Sequence, residues 1–282
     1  MAGAARFVVV GPTGCGLAVD EAVGHWAEGS GTSGASTEGH ARDARAGALA
    51  GAAIARAVAL AQAGTVQGIV TSPIDKAALL AGGYDFPGHT EMLAALTGHP
   101  TVMMLASDRL RVVLITTHLP LRDVPAAVTP AAIARAARLT RTGLQRAYGI
   151  AAPRIALCAL NPHAGDHGRF GREDDDLLAP AARAADLAGP FSADTVFVRA
   201  LRGEFDAVLA PYHDVGMTAI KVASFGEAVN VTLGLPFVRT SPDHGTALDI
   251  AGQGRASATS FIAAVRAAVD LVSRAGSPQE PA

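Results

Sequence analysis

Ile155-Ala-Leu-Cys-Ala-Leu160-Asn-Pro-His-Ala-Gly165 decides the fold. Its apolar opening, without a polar break, reads as a strand buried on both faces, and Asn161-Pro162 stops it abruptly. On its N-terminal side the pattern predicts a helix at Ala131–Tyr148, preceded by strands near Val102–Leu105 and Arg111–Thr116. Further back lie a strand at Val66–Val70 ending at Thr71-Ser-Pro73, a short helix around Lys76–Leu80, and an amphipathic helix from about Ala41 to Ala63. That longer helix offers Leu49, Ala53, Val58 and Leu60 for packing. The chain opens with a strand at Arg6–Val10, a Gly-rich turn at Gly11–Gly16, a helix through about Trp26 and a flexible polar loop over 27–40. On the C-terminal side come a helix around Asp175–Ala185, strands at Ala207–Ala210, Val229–Leu233 and Phe237–Arg239, a helix from about Ser257 to Ser273, and a fraying tail at 276–282. Strands alternating with helices predict an α/β chain, three-layered (α/β/α), with a largely parallel core.

Composition narrows the partners. The net charge of −2 gives no general basis for nucleic-acid or membrane-surface binding, and Cys15 with Cys158 is too little for a disulfide framework. A reducing cytoplasm is the expected location. Two of the 23 basic residues are lysine, Lys76 and Lys221. Against an arginine background, a lysine suggests a position that wants a compact ammonium rather than a planar fork.

Three histidines follow strands: His118 after the strand through Thr116, His163 after Ile155–Leu160, and His213 after Ala207–Ala210. Ligands of α/β sheets bind in the crevice beyond the carboxyl ends of the strands. Three imidazoles delivered to that edge suit one divalent metal with an open position, Zn²⁺ foremost, with Co²⁺, Mn²⁺ or Mg²⁺ as the other choices.

Nine motifs then resemble, in order, the blocks of the 4-hydroxythreonine-4-phosphate dehydrogenase family. They are Gly88-His-Thr-Glu91, Thr117-His-Leu-Pro-Leu-Arg-Asp-Val124, Leu160-Asn-Pro-His-Ala-Gly165, Gly171-Arg-Glu173, Ala193-Asp-Thr195 and Pro211-Tyr-His-Asp214. Val229-Asn-Val-Thr-Leu-Gly-Leu-Pro-Phe237, Arg239-Thr-Ser241 and Asp243-His-Gly-Thr-Ala-Leu-Asp-Ile-Ala-Gly252 complete the series. The match runs from about Gly64 to Ala256. Gly11-Pro-Thr-Gly-Cys-Gly16 looks like a degenerate form of the family's opening turn, and Val215 stands where the family usually has glutamine.

The resemblance implies a fold like that of isocitrate and isopropylmalate dehydrogenases, one family unit over residues 1–282 with two interleaved lobes around a central cleft. It implies His118, His163 and His213 as metal ligands, and His89, Thr90, Lys221, Asn230 and Arg239 as substrate contacts. His244, Gly245, Thr246 and Asp249 lie in a segment similar to the adenosine-binding loop of those enzymes, which points to NAD or NADP. Lys221 and Asp214 are the candidate catalytic residues, Asp214 either orienting His213 or moving a proton. The implied activity is oxidation of a secondary hydroxyl on a small anionic substrate, in pyridoxine biosynthesis, with possible decarboxylation of a β-keto acid product. A homodimer sharing its active sites is implied as well. Two other readings stay open: a related dehydrogenase for a cis-dihydrodiol or phosphorylated sugar acid, and a non-redox metal-dependent decarboxylase or binding protein. A P-loop at Gly11–Gly16 fails, because no Lys-Ser or Lys-Thr follows the glycines.

Overall fold

The structure, a computed structural model, describes residues 5–26, 37–224 and 227–275. Its strands are β1 (Val10–Thr13), β2 (Glu21–His25), β3 (Gly68–Val70), β4 (Val102–Ala106), β5 (Arg111–Leu114), β6 (Ile155–Cys158), β7 (Ala188–Phe191), β8 (Ala207–Ala210), β9 (Val229–Leu233) and β10 (Val238–Pro242). Its helices are α1 (Thr37–Gln62), α2 (Lys76–Ala81), α3 (His89–Thr97), α4 (Val124–Ala127), α5 (Pro130–Tyr148), α6 (Ala179–Ala184), α7 (Ala193–Leu201), α8 (His213–Ser224) and α9 (Thr259–Ala275).

Eight strands form one sheet in the order β3-β10-β9-β4-β5-β8-β6-β7. Alternate residues of each strand face opposite layers. Val113, Ile155, Leu157 and Leu209 pack with Ile133 and Leu144 of α5, Ala182 of α6 and Leu271 of α9. Their neighbours Val112, Ala156, Cys158 and Val208 pack with Val196 and Phe197 of α7 and Ile220 of α8. The three-layer expectation therefore holds.

The sheet is mixed rather than largely parallel. β5, β8, β6 and β7 run parallel, while β4 pairs antiparallel with both β5 and β9, and β9 antiparallel with β10. The reason is connection length: a few residues join β4 to β5 and β9 to β10, and a parallel crossover needs a dozen or more.

The helix expected up to Trp26 is instead strand β2, paired parallel with β1 in a separate two-stranded sheet. Gly24 sits at φ +122°, outside the helical range, and the Asp20 carboxylate accepts from Val9 N at 2.8 Å, closing the strand connection. Elements β7, α3, α4, α7 and α8 add to those expected from sequence. The polar loop expected over 27–40 lies outside the described residues up to residue 36, and 37–40 are helical; the expected fraying tail also lies outside them.

By length and composition alone, Gly39–Gln62 is apolar enough to cross a membrane. In the fold, Ile54, Val58 and Ala61 from this stretch pack against Ile69, Met92 and Leu93. Arg56 donates twice to Glu21 Oε2 and Arg45 to the His25 carbonyl, tying β2 to α1. Gly47 lets α2 approach closely, since a Cβ there would overlap the Ala78 carbonyl.

Candidate active site

β5, β8 and β6 are neighbours and parallel, so their carboxyl ends open on one edge. Pairing continues past the strands: Ile115 N donates to Ala210 O at 2.9 Å. Thr116 donates to Pro211 O from both N, at 3.3 Å, and Oγ1, at 2.7 Å. This extension brings His118 and His213 together, with ring centroids 5.7 Å apart.

His213 Nδ1 lies 2.6 Å from Asp214 Oδ1. An ionised carboxylate only accepts, so Nδ1 is the donor of this bond, which in the neutral ring puts the lone pair on Nε2. Burial, Lys76 and His213 each lower the pKa of His118, with Glu91 opposing. The net effect favours the neutral imidazole that a metal requires.

His163 stands apart. It is exposed on the short turn Pro162–Gly165, its ring 6.3 Å from Phe170. Among the described residues no group of three His, Cys, Asp or Glu side chains is placed to hold a metal ion. The local backbone explains the separation. His163, Ala164, Gly165, Asp166, His167 and Gly168 all have positive φ, a left-handed run that carries the chain out of the line of β6. Gly165 suits its place, because a Cβ there would come 2.8 Å from Gly171 O. Fully buried Asp174 anchors the base of the turn by accepting from Leu160 N at 2.8 Å and Asn161 N at 2.9 Å. Asn161 Nδ2 donates to Glu173 at 2.8 Å.

Beside the histidine pair lies a cleft of about 610 Å³. His89, Thr90 and Glu91 enter it from the first turn of α3, Asn230 from β9 and Arg239 from β10. Arg239 is 2 % exposed and donates to Thr232 Oγ1 at 2.8 Å and Thr71 Oγ1 at 2.7 Å. No carboxylate pairs with it among the described residues, and burial lowers its pKa to about 10, still charged at neutral pH. Arg239 Nε, His89 Nε2 and Asn230 Oδ1 are all buried without a hydrogen-bond partner. Burial, reinforced by the Arg239 charge, pushes the His89 pKa down to about 3. A buried guanidinium without a carboxylate partner, with its Nε and the nearby His89 Nε2 unpartnered, suits an anionic ligand that accepts from both.

His213, Met217 and Lys221 line the same cleft from one face of α8, spaced four residues apart. Lys221 Nζ is 3.5 Å from Asp243 Oδ2. Burial raises the Asp243 pKa, and Lys221, His244 and His213 act against it. His244 and Gly245 reach the cleft rim, while Thr246 and Asp249 continue around an exposed loop outside the lining. Lys76, Glu91 and Asp243 line the cleft too and were not among the residues expected there. Lys76 had a visible signal: both of the chain's lysines face this one cavity.

Comparisons agree with the motifs. A 4-hydroxythreonine-4-phosphate dehydrogenase of Paracoccus denitrificans is 51 % identical over 232 residues, covering 78 % of this chain and 72 % of the relative. A D-threonate 4-phosphate dehydrogenase of Cupriavidus necator is 50 % identical over 228 residues, covering 78 % and 68 %. The crystal structure of a 4-hydroxythreonine-4-phosphate dehydrogenase from Klebsiella pneumoniae superposes with a TM-score of 0.76 at 42 % identity, covering 81 % of this chain and 71 % of that one. The family described as pyridoxal phosphate biosynthetic protein PdxA matches residues 29–268, and the chain belongs to that family.

Proposed function

We propose that this protein is an NAD(P)-dependent dehydrogenase that oxidises the secondary hydroxyl of a small phosphorylated acid, with 4-hydroxythreonine-4-phosphate as its substrate. The observation that carries the reading is Arg239, a buried guanidinium without an acidic partner among the described residues, set among orphaned polar atoms of His89 and Asn230. A phosphate ester supplies the missing charge and several acceptors at once. Neutral His89 can donate to one of its oxygens from Nε2, and Lys221, steadied by Asp243, adds an ammonium beside the guanidinium.

His118 and His213 have the chemistry of metal ligands: the lowered His118 pKa favours its neutral ring, and Asp214 holds His213 through Nδ1, leaving Nε2 as the atom to ligate. With His163 of the partner subunit they would hold a divalent ion, Zn²⁺ by its preference for imidazole, which would acidify the substrate hydroxyl. Exposed Leu119, Leu121 and Phe170 beside the histidine-bearing turns favour a second copy docking there. His244, Gly245, Thr246 and Asp249 would hold the adenosine end of NAD(P), and the cofactor's nicotinamide would supply the hydride acceptor. Asp214 keeps His213 in its ligating tautomer, a positioning role. The ketone formed lies β to the carboxylate, so loss of CO₂ follows from the same product.

A second reading, D-threonate 4-phosphate as substrate, is favoured by the Cupriavidus necator relative. Metal-loaded protein is mixed with NAD⁺ or NADP⁺ and each substrate, and reduced nicotinamide is followed by absorbance. The first substrate should give the faster turnover, and Arg239→Met should abolish it. No reduction with either compound would overturn the proposal.

A further inference from the structure

Two opposite charges in the cleft have no role so far. Lys76 begins α2, where the Asp75 side chain caps the helix by accepting from Ala78 N at 2.8 Å. Glu91 lies in the first turn of α3. Their side chains converge over Gly88: a Cβ built there would sit 3.5 Å from Glu91 Oε2 and 3.8 Å from Lys76 Cε. Neither takes part in an ion pair among the described residues. The cleft thus has two electrical neighbourhoods. Lys76 and Glu91 both act on His118, in opposite senses, whereas Arg239 acts on His89.

We infer that Lys76 and Glu91 form the subsite that reads the zwitterionic end of an α-amino acid substrate, Glu91 taking the ammonium and Lys76 the carboxylate. This rests on the dehydrogenase reading above and specifies its substrate class. 4-Hydroxythreonine-4-phosphate carries, in chain order, a carboxylate, an ammonium-bearing carbon, the reacting hydroxyl carbon and the phosphate ester. The one cleft is lined by a partner for each of these: Lys76 and Glu91, the His118–His213 pair, and Arg239. D-Threonate 4-phosphate has a hydroxyl in place of the ammonium, so Glu91 gains nothing charged from it. Lys76 meets a carboxylate in both compounds.

The test is the ratio of kcat/KM for 4-hydroxythreonine-4-phosphate to that for D-threonate 4-phosphate, in metal-loaded wild-type, Glu91→Gln and Lys76→Met proteins. Glu91→Gln should lower the ratio about ten-fold or more, the effect of losing one charge-assisted contact. Lys76→Met should weaken both substrates and hold the ratio within about two-fold. A ratio that stays within about two-fold in Glu91→Gln, or that shifts as far in Lys76→Met, overturns the inference. Glu91→Asp guards against a folding defect, since it keeps the charge and should recover part of the preference. If wild-type protein turns over neither compound, the dehydrogenase reading fails by itself. Calorimetric binding of the same two compounds to wild type and Glu91→Gln then decides the Glu91 inference by the same ratio.

Discussion

Asp174→Asn tests how the His163 turn is held. Four non-glycine residues there, His163, Ala164, Asp166 and His167, adopt left-handed backbone. At roughly 1–2 kcal/mol each, the turn stores about 4–8 kcal/mol of conformational cost. Two hydrogen bonds from Leu160 N and Asn161 N to a fully buried carboxylate oppose it. At roughly 1.5–3 kcal/mol each they supply about 3–6 kcal/mol, close to the amount required. Asparagine keeps one acceptor and turns an amide N–H₂ toward the second donor. One charge-assisted bond is lost and one backbone N–H is left unpaired, so the variant should lose about 3–5 kcal/mol. Urea unfolding with linear extrapolation measures this directly. A variant within about 1 kcal/mol of wild type would show that something other than Asp174 holds the turn.

Lys221→Arg keeps the charge but changes its shape and reach toward Asp243, and kcat/KM should fall about ten-fold or more with metal content retained; undiminished turnover would place Lys221 outside the substrate contacts. His89 has a folded pKa of about 3, below the ordinary 6.5, so on acidification the unfolded chain takes up a proton that the folded chain refuses. Its contribution is therefore complete above about pH 6.5 and declines as pH falls toward 3, and His89→Asn should flatten that part of the stability–pH curve; equal slopes in denaturant titrations would refute the assignment. His163→Ala should lower bound metal per subunit, by elemental analysis, although its side chain lies outside the cleft. Its inactive subunits mixed with inactive His118→Ala subunits should regain partial activity if ligands cross between copies.

Much of this was legible because it depends on short-range pattern. The apolar run at Ile155 could only be a buried strand, and the exits bearing His118 and His213 follow from strands whose pairing is local and strongly apolar. His89, Asn230 and Arg239 were visible through the family resemblance, and the cleft does gather them. Relative strand direction was less legible, since the antiparallel β4–β5 and β9–β10 pairs are set by connection length rather than by the strands themselves. The position of His163 was hidden for another reason. Its displacement depends on a left-handed backbone stabilised by Asp174, eleven residues away, and no periodicity reports such a contact. Lys76 stood out as one of two lysines but without a position to serve, and Glu91 went unassigned because a lone charge looks like an ordinary surface residue until its neighbours are in place.

The line where β4 meets β5 has a consequence for how this site can change over time. The histidine pair belongs to the parallel half of the sheet, bound into its exits through Thr116 and Pro211. The anion pocket belongs to the other half, on the β9–β10 hairpin and the start of α3. On the proposed assignments, a substitution at Asn230 or Glu91 alters what the cleft selects without touching the hydrogen bonds that space His118 from His213. New substrates can thus be acquired by drift on one side of the seam while the chemistry on the other side is inherited intact.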